Sequence, residues 1–100
     1  MPRRFPVATK FVPDGSSEEI SLPDGEIDLA FLSSLVGGYI EFIYFSDGSM
    51  MLVNEEGKLM DMALNRIATY LAAIKGGLYP GDYISGDAVF FSRSEASRID

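Results

Sequence analysis

YIEFIYFSDGSMMLVN (residues 39–54) decides the fold class. Its opening seven residues are aromatic or β-branched except Glu41, the composition of a strand. Ile40, Phe42 and Tyr44 fall on one face; Tyr39, Glu41, Ile43 and Phe45 fall on the other. Both faces are largely apolar, which predicts a strand inside a sheet rather than at its edge. Asp47-Gly48 between apolar runs signals a tight hairpin, so MMLVN (residues 50–54) is the returning strand.

Working outward toward the C-terminus, EEGK (residues 55–58) is a turn centred on Gly57. ALNRIATYLAAIKGG (residues 63–77) has helical spacing, with Ile67, Tyr70, Leu71 and Ile74 as its apolar face. Asn65 is the candidate N-cap, and Gly76-Gly77 closes the helix after Lys75. YISGDAVFF (residues 83–91) is the last strand, with Gly86 as a bulge. Its place near the end of the chain makes it a candidate sheet edge, inviting pairing with a second copy. SRSEASRID (residues 92–100) is a polar, frayed tail.

Toward the N-terminus, PDGEIDLAFLSSLVGG (residues 23–38) is an amphipathic helix opened near Asp24, with Ile27, Phe31, Leu32 and Leu35 on its apolar side. The early acids Glu26 and Asp28 suit the positive end of the helix dipole. RRFPVATKFVP (residues 3–13) and EEISL (residues 18–22) flank the turn PDGSS as a hairpin. Pro6 asks for an edge position or a strand that begins after it. The order β-β-α-β-β-α-β predicts one α+β domain over residues 1–100: a mostly antiparallel sheet of about five strands with two packed helices.

Composition excludes several functions. The chain has no Cys and no His. That removes disulfide frameworks, the usual zinc sites and His-dependent nucleophilic systems, so no metal and no cofactor is expected. Fifteen acidic and eight basic side chains give a net charge of −7, which opposes nonspecific nucleic-acid binding. No apolar run nears the roughly 18 residues that cross a membrane, and no signal peptide is evident. A cytoplasmic location is the expectation.

The polar cluster around residues 54–70 admits two readings. In one, Gly57 permits a turn, Glu55 and Glu56 are solvated, and Asn65 caps a helix. In the other, the helix N-terminus with Arg66 and Lys58 holds a phosphate or carboxylate, while Glu55 or Glu56 accepts from ribose hydroxyls or an amino group. The ligand-binding candidates are Asn54, Glu55, Lys58, Asn65, Arg66, Thr69 and Tyr70. Tyr70, Tyr79 and Tyr83 are the aromatics best placed for stacking, because helix ends and loops leave phenols exposed. Met50, Met51, Met60 and Met62 read as gap-fillers or, if exposed, an adaptable interface. Glu41, Glu55, Glu56, Asp61 and Asp87 are the carboxylates available for catalysis; none is assigned a catalytic role.

LVGGYIEFI, DG, VNEEGKL, LNRIATYL and YISGDAVFF occur in order. Together they resemble the domain-of-unknown-function family numbered 3846. In the family pattern Leu-Pro stands shortly before the asparagine of the second helix; here Ala63-Leu64 stand there. The resemblance implies a small protein with no assigned activity, of a kind often encoded by phages and plasmids. It singles out Asn54, Glu55, Gly57, Lys58, Asn65, Ala68 and Thr69 as a polar signature kept for folding or for function.

These observations lead to the expectation of a non-enzymatic accessory protein of a mobile element. It would bind and sequester a small anionic, nucleotide-like ligand, such as a nucleotide-derived immune signal, and act as a homo-oligomer. The alternatives are a protein-binding inhibitor of a host factor, using an acidic or Met/aromatic surface, and a carboxylate-dependent hydrolase.

Overall fold

A computed structural model of the chain describes residues 7–99. Strands β1 (Val7–Phe11), β2 (Ser17–Ser21), β3 (Ile40–Tyr44), β4 (Met50–Asn54) and β5 (Ala88–Phe91) form one antiparallel sheet in the order β2-β1-β5-β4-β3. Helices α1 (Leu29–Val36), α2 (Arg66–Ile74) and α3 (Arg93–Ala96) complete the α+β fold. The portion of the predicted first strand before residue 7, Pro6 included, lies outside the described residues; β1 starts at Val7 and is interior, between β2 and β5.

The two apolar faces of the sheet collect different helices. Met50, Leu52, Val89, Phe91 and Ala8 pack with Leu32 and Val36 of α1 and Ala96 of α3. Met51, Val53 and Ala88 pack on the other side with Ala68 and Ala72 of α2 and with Ile84. Met51, Leu52, Val89 and Phe91 are wholly buried. Each such side chain contributes about 2 kcal/mol of hydrophobic stabilisation.

The strand predicted to be interior is an edge. Among the described residues β3 pairs with β4 alone, and Tyr39 and Tyr44 at its ends are exposed. The predicted edge is the centre: β5 pairs with β1 and β4. Apolarity misled the assignment of β3, and position near the end of the chain misled that of β5. β3 is apolar because both its faces meet helix or loop side chains, whereas position in the sheet was settled by pairings far apart in sequence. Pairing between copies, expected through β5, would have to use β2 or β3.

Helix α2 turns inward a face that only partly matches the predicted one: Leu71 packs against the core beside Ala68 and Ala72. Ala68 and Ala72 are fully buried, while Ile67, Tyr70 and Ile74 are 41%, 69% and 64% exposed. Small residues let the helix backbone approach the sheet, so the large apolar side chains flank the contact or face solvent. Helix α1 begins at Leu29 rather than near Asp24: Asp28 is the N-cap, its Oδ1 accepting the Phe31 N–H at 2.9 Å.

Gly86 precedes β5 instead of interrupting it. Its φ of 84° turns the chain out of the Leu64–Ser85 bridge before the strand starts. The predicted frayed tail is packed: α3 buries Ala96, Ile99 joins the core, and Arg98 donates to the Pro23 and Gly25 carbonyls. No helix among the described residues is long and apolar enough to cross a membrane.

Candidate functional site

A cleft of about 250 Å³ opens at the β3 edge of the sheet, on the α2 side. Its walls are Glu41 and Ile43 of β3, the end of β4 with the turn that follows, and the loop 77–85. Two buried asparagines frame it. Asn54 Nδ2 donates to the Val36 carbonyl at 3.1 Å, and Asn54 Oδ1 accepts the Glu56 N–H at 2.8 Å. The end of α1 and the 55–58 turn are thereby held to one side chain. Gly57 presses on the opposite wall: a Cβ there would stand 2.6 Å from the Ser85 carbonyl oxygen. Gly57 is needed for that close approach, not for a positive φ.

Asn65 makes the second frame. It caps α2 through the Ala68 N–H at 3.1 Å and donates to the carbonyls of Phe11 and Gly86, each at 2.9 Å. One fully buried amide therefore joins α2, β1 and the end of the 77–86 loop. Thr69 holds the same loop, its Oγ1 accepting the Ile84 N–H at 2.9 Å.

The chemistry of the cleft lies at its mouth. The Lys58 ammonium pairs with the Asp82 carboxylate and sits 4.4 Å from the centroid of the Tyr83 ring. Asp82 Oδ1 also accepts the Tyr83 N–H at 2.8 Å. The hydrogen bond from Lys58, then the one from the Tyr83 backbone, holds the Asp82 carboxyl below the ordinary range. The hydrogen bond to Asp82 raises Lys58 above the ordinary lysine value, with Tyr83 and Glu41 adding smaller attractions. Tyr79, 84% exposed, flanks the opening. Among the described lining residues one ammonium, Lys58, faces three carboxylates: Glu41, Glu55 and Asp82.

Three of the seven predicted ligand residues, Asn54, Glu55 and Lys58, are brought together here. Asn65, Arg66, Thr69 and Tyr70 do not line the cleft. Asn65 and Thr69 brace it from behind, whereas Arg66 and Tyr70 are exposed on α2. Of the polar signature, Asn54, Gly57, Asn65, Ala68 and Thr69 have structural duties, and Glu55 and Lys58 are left exposed in the cleft. Glu55 and Glu56 diverge as their adjacency predicts, and only Glu55 reaches the cleft. Glu41 is an exposed edge residue, and Asp87 pairs with Lys10 at 3.2 Å.

The residue missed from sequence is Asp82. It lies 24 positions from Lys58, beyond the reach of any local spacing rule. The only sequence signal was its place between Tyr79 and Tyr83, both already marked as exposed aromatics. Met50 and Met51 fill the core as expected; Met60 is exposed. No three potential metal-ligating side chains converge among the described residues.

No curated protein and no solved structure matches the chain. A family model described as "Domain of unknown function (DUF3846)" matches residues 9–99, the family that the ordered motifs resemble.

Proposed function

The chain belongs to the DUF3846 family, a family of unknown function, and we propose that it is a binding protein, holding a small ligand in the cleft between the 55–58 turn and the 77–85 loop without transforming it. The observation that carries this reading is the convergence of Lys58, Asp82 and the Tyr83 ring at the mouth of a cleft whose walls are pinned by buried polar bonds. Such pinning pre-organises the site, which lowers the entropy lost on binding.

The Lys58–Asp82 pair is not tuned for acid–base work near neutral pH. General acids and bases work best when tuned toward the operating pH. Here the pair is tuned away from it: Asp82 downward and Lys58 upward.

At about 250 Å³ the cleft is smaller than the roughly 300–1,000 Å³ of drug-sized ligand pockets, so it suits one ring or one head group. A nucleotide-like ligand would enter base first, its ring against Tyr79 or Tyr83 and its amino or hydroxyl groups donating to Glu41 or Glu55. Its phosphate would have to take Lys58 from Asp82 in the presence of three carboxylates. The lining therefore favours donor-rich groups over phosphate. Tight capture would amount to sequestration.

Thermal shift with a panel of nucleobases, nucleosides, nucleotides and alkylamines tests the reading, with mass recovery of each ligand. Stabilisation by a panel member that is recovered intact, and loss of that effect in Tyr83→Ala, is the expected result. Turnover of the ligand would make the protein an enzyme. No stabilisation by any member would sink the small-ligand reading and leave the protein-binding inhibitor.

A further inference from the structure

We propose that the Asp82–Tyr83 corner of the cleft is a receptor for an alkylammonium group, and that Lys58 is its built-in competitor. The inference rests on the cleft being a ligand site and names the chemistry of what enters it.

A cation over an aromatic face with a carboxylate beside it is a standard arrangement for recognising amines. The chain supplies its own occupant: the Lys58 ammonium lies over Tyr83 and against Asp82. That occupant is loosely held. The Lys58 and Asp82 side chains are 47% and 36% exposed. An ion pair this open to water is weak, because solvent screens it and both side chains lose freedom to hold it. The lysine stem is flexible, so its ammonium can swing into solvent.

What remains when it swings away is a formed site. Asp82 keeps its orientation through the Tyr83 N–H, and Tyr83 is positioned next to Ile84, which Thr69 holds. Glu41 and Glu55 are the other charged lining residues, and both are carboxylates. With Lys58 withdrawn, the cleft presents three carboxylates and two tyrosines, a field that attracts an ammonium and repels a phosphate. An anionic ligand would need Lys58 in place; a cationic one needs it gone. The two readings therefore predict opposite effects of removing the lysine charge.

The alkylammonium could belong to a free amine or to a lysine side chain of a peptide. Chemical-shift titration with n-butylammonium and with a glycine-flanked lysine peptide separates these sources, using the full chain as wild type, Lys58→Met, Lys58→Met/Asp82→Asn and Arg93→Met. Lys58→Met keeps the alkyl stem and removes the charge; Arg93→Met removes one positive charge outside the cleft. Lys58→Met is expected to bind butylammonium up to about fivefold more tightly than wild type, with shifts confined to the cleft. Adding Asp82→Asn should abolish the gain, and Arg93→Met should match wild type. Tighter binding of the peptide assigns the site to a protein segment; equal binding assigns it to free amines. An unchanged or weaker affinity in Lys58→Met overturns the proposal, as does an equal gain in Arg93→Met. So does inorganic phosphate binding that Lys58→Met removes. Nucleoside binding without ammonium binding overturns the inference but keeps the cleft as a site, whereas silence toward both removes the site itself. Lys58→Gln repeats the test if Lys58→Met does not fold.

Discussion

Gly57 and the Ser85 carbonyl are so close that a Cβ on residue 57 would stand 2.6 Å from the oxygen. The 55–58 turn and the 77–85 loop, the two walls of the cleft, meet at this point. Gly57→Ala should force the walls apart and destabilise the fold by about 1–3 kcal/mol, the range for overpacking. The denaturant midpoint should fall with an unchanged slope, and ligand affinity should fall with it. A midpoint equal to wild type would show that the contact yields freely.

Asn65 does more than cap. Loss of a cap alone costs about 1 kcal/mol. Asn65→Ala also strips the amide from the Phe11 and Gly86 carbonyls, so about 3 kcal/mol is expected. Asn65→Asp separates the two roles. It keeps an acceptor for the Ala68 N–H but turns a carboxylate toward two carbonyl oxygens. A simple cap would tolerate it; here it should destabilise at least as much as alanine at neutral pH and recover partly on acidification. Wild-type stability in Asn65→Asp would reduce the residue to a cap.

The Lys58–Asp82 pair defines a pH window. The Asp82 pKa is depressed on folding, so its contribution is full above the ordinary 3.8 and is lost as pH falls through the lowered value. The Lys58 pKa is raised, so its contribution is full below the ordinary 10.5 and is lost as pH rises through the raised value. Between these limits the Lys58 side-chain protons should feel the Tyr83 ring current. Their NMR shifts should relax toward free lysine below the carboxylate range and stay constant across neutral pH. Movement near pH 7 would contradict the pairing.

Arg66 was expected to share an anion with Lys58, but it does not line the cleft. Arg66→Ala should leave the affinity of any cleft ligand within about twofold of wild type, as for a surface change away from the contacts. Glu55→Gln should weaken a donor-bearing ligand by about 1 kcal/mol, one hydrogen bond to a charged acceptor made neutral. Calorimetry on both variants checks the contrast. A large loss in Arg66→Ala would restore the helix N-terminus as the site.

The sequence by itself determined most of the local elements, though not α3 or the start of α1. β4 was legible to the residue, because the Asp47-Gly48 hairpin and the apolar run mark both its ends. The Asn65 cap and the end of α2 near Lys75 were legible because capping depends on neighbours three or four positions away. Glu55 and Lys58 could be marked as candidates from residue type and turn position. Tertiary structure alone decided the rest. It placed β5 at the centre and β3 at the edge, because strand neighbours follow from burial on both faces rather than from one strand's apolarity. It chose Ala68 and Ala72 over Ile67 and Ile74 as the buried face of α2, because close helix–sheet packing favours small side chains. It also brought Asp82 to Lys58. Their attraction acts over a few ångströms, and only the folded loops, held by Asn54, Asn65 and Thr69, set two residues so far apart in sequence within that range.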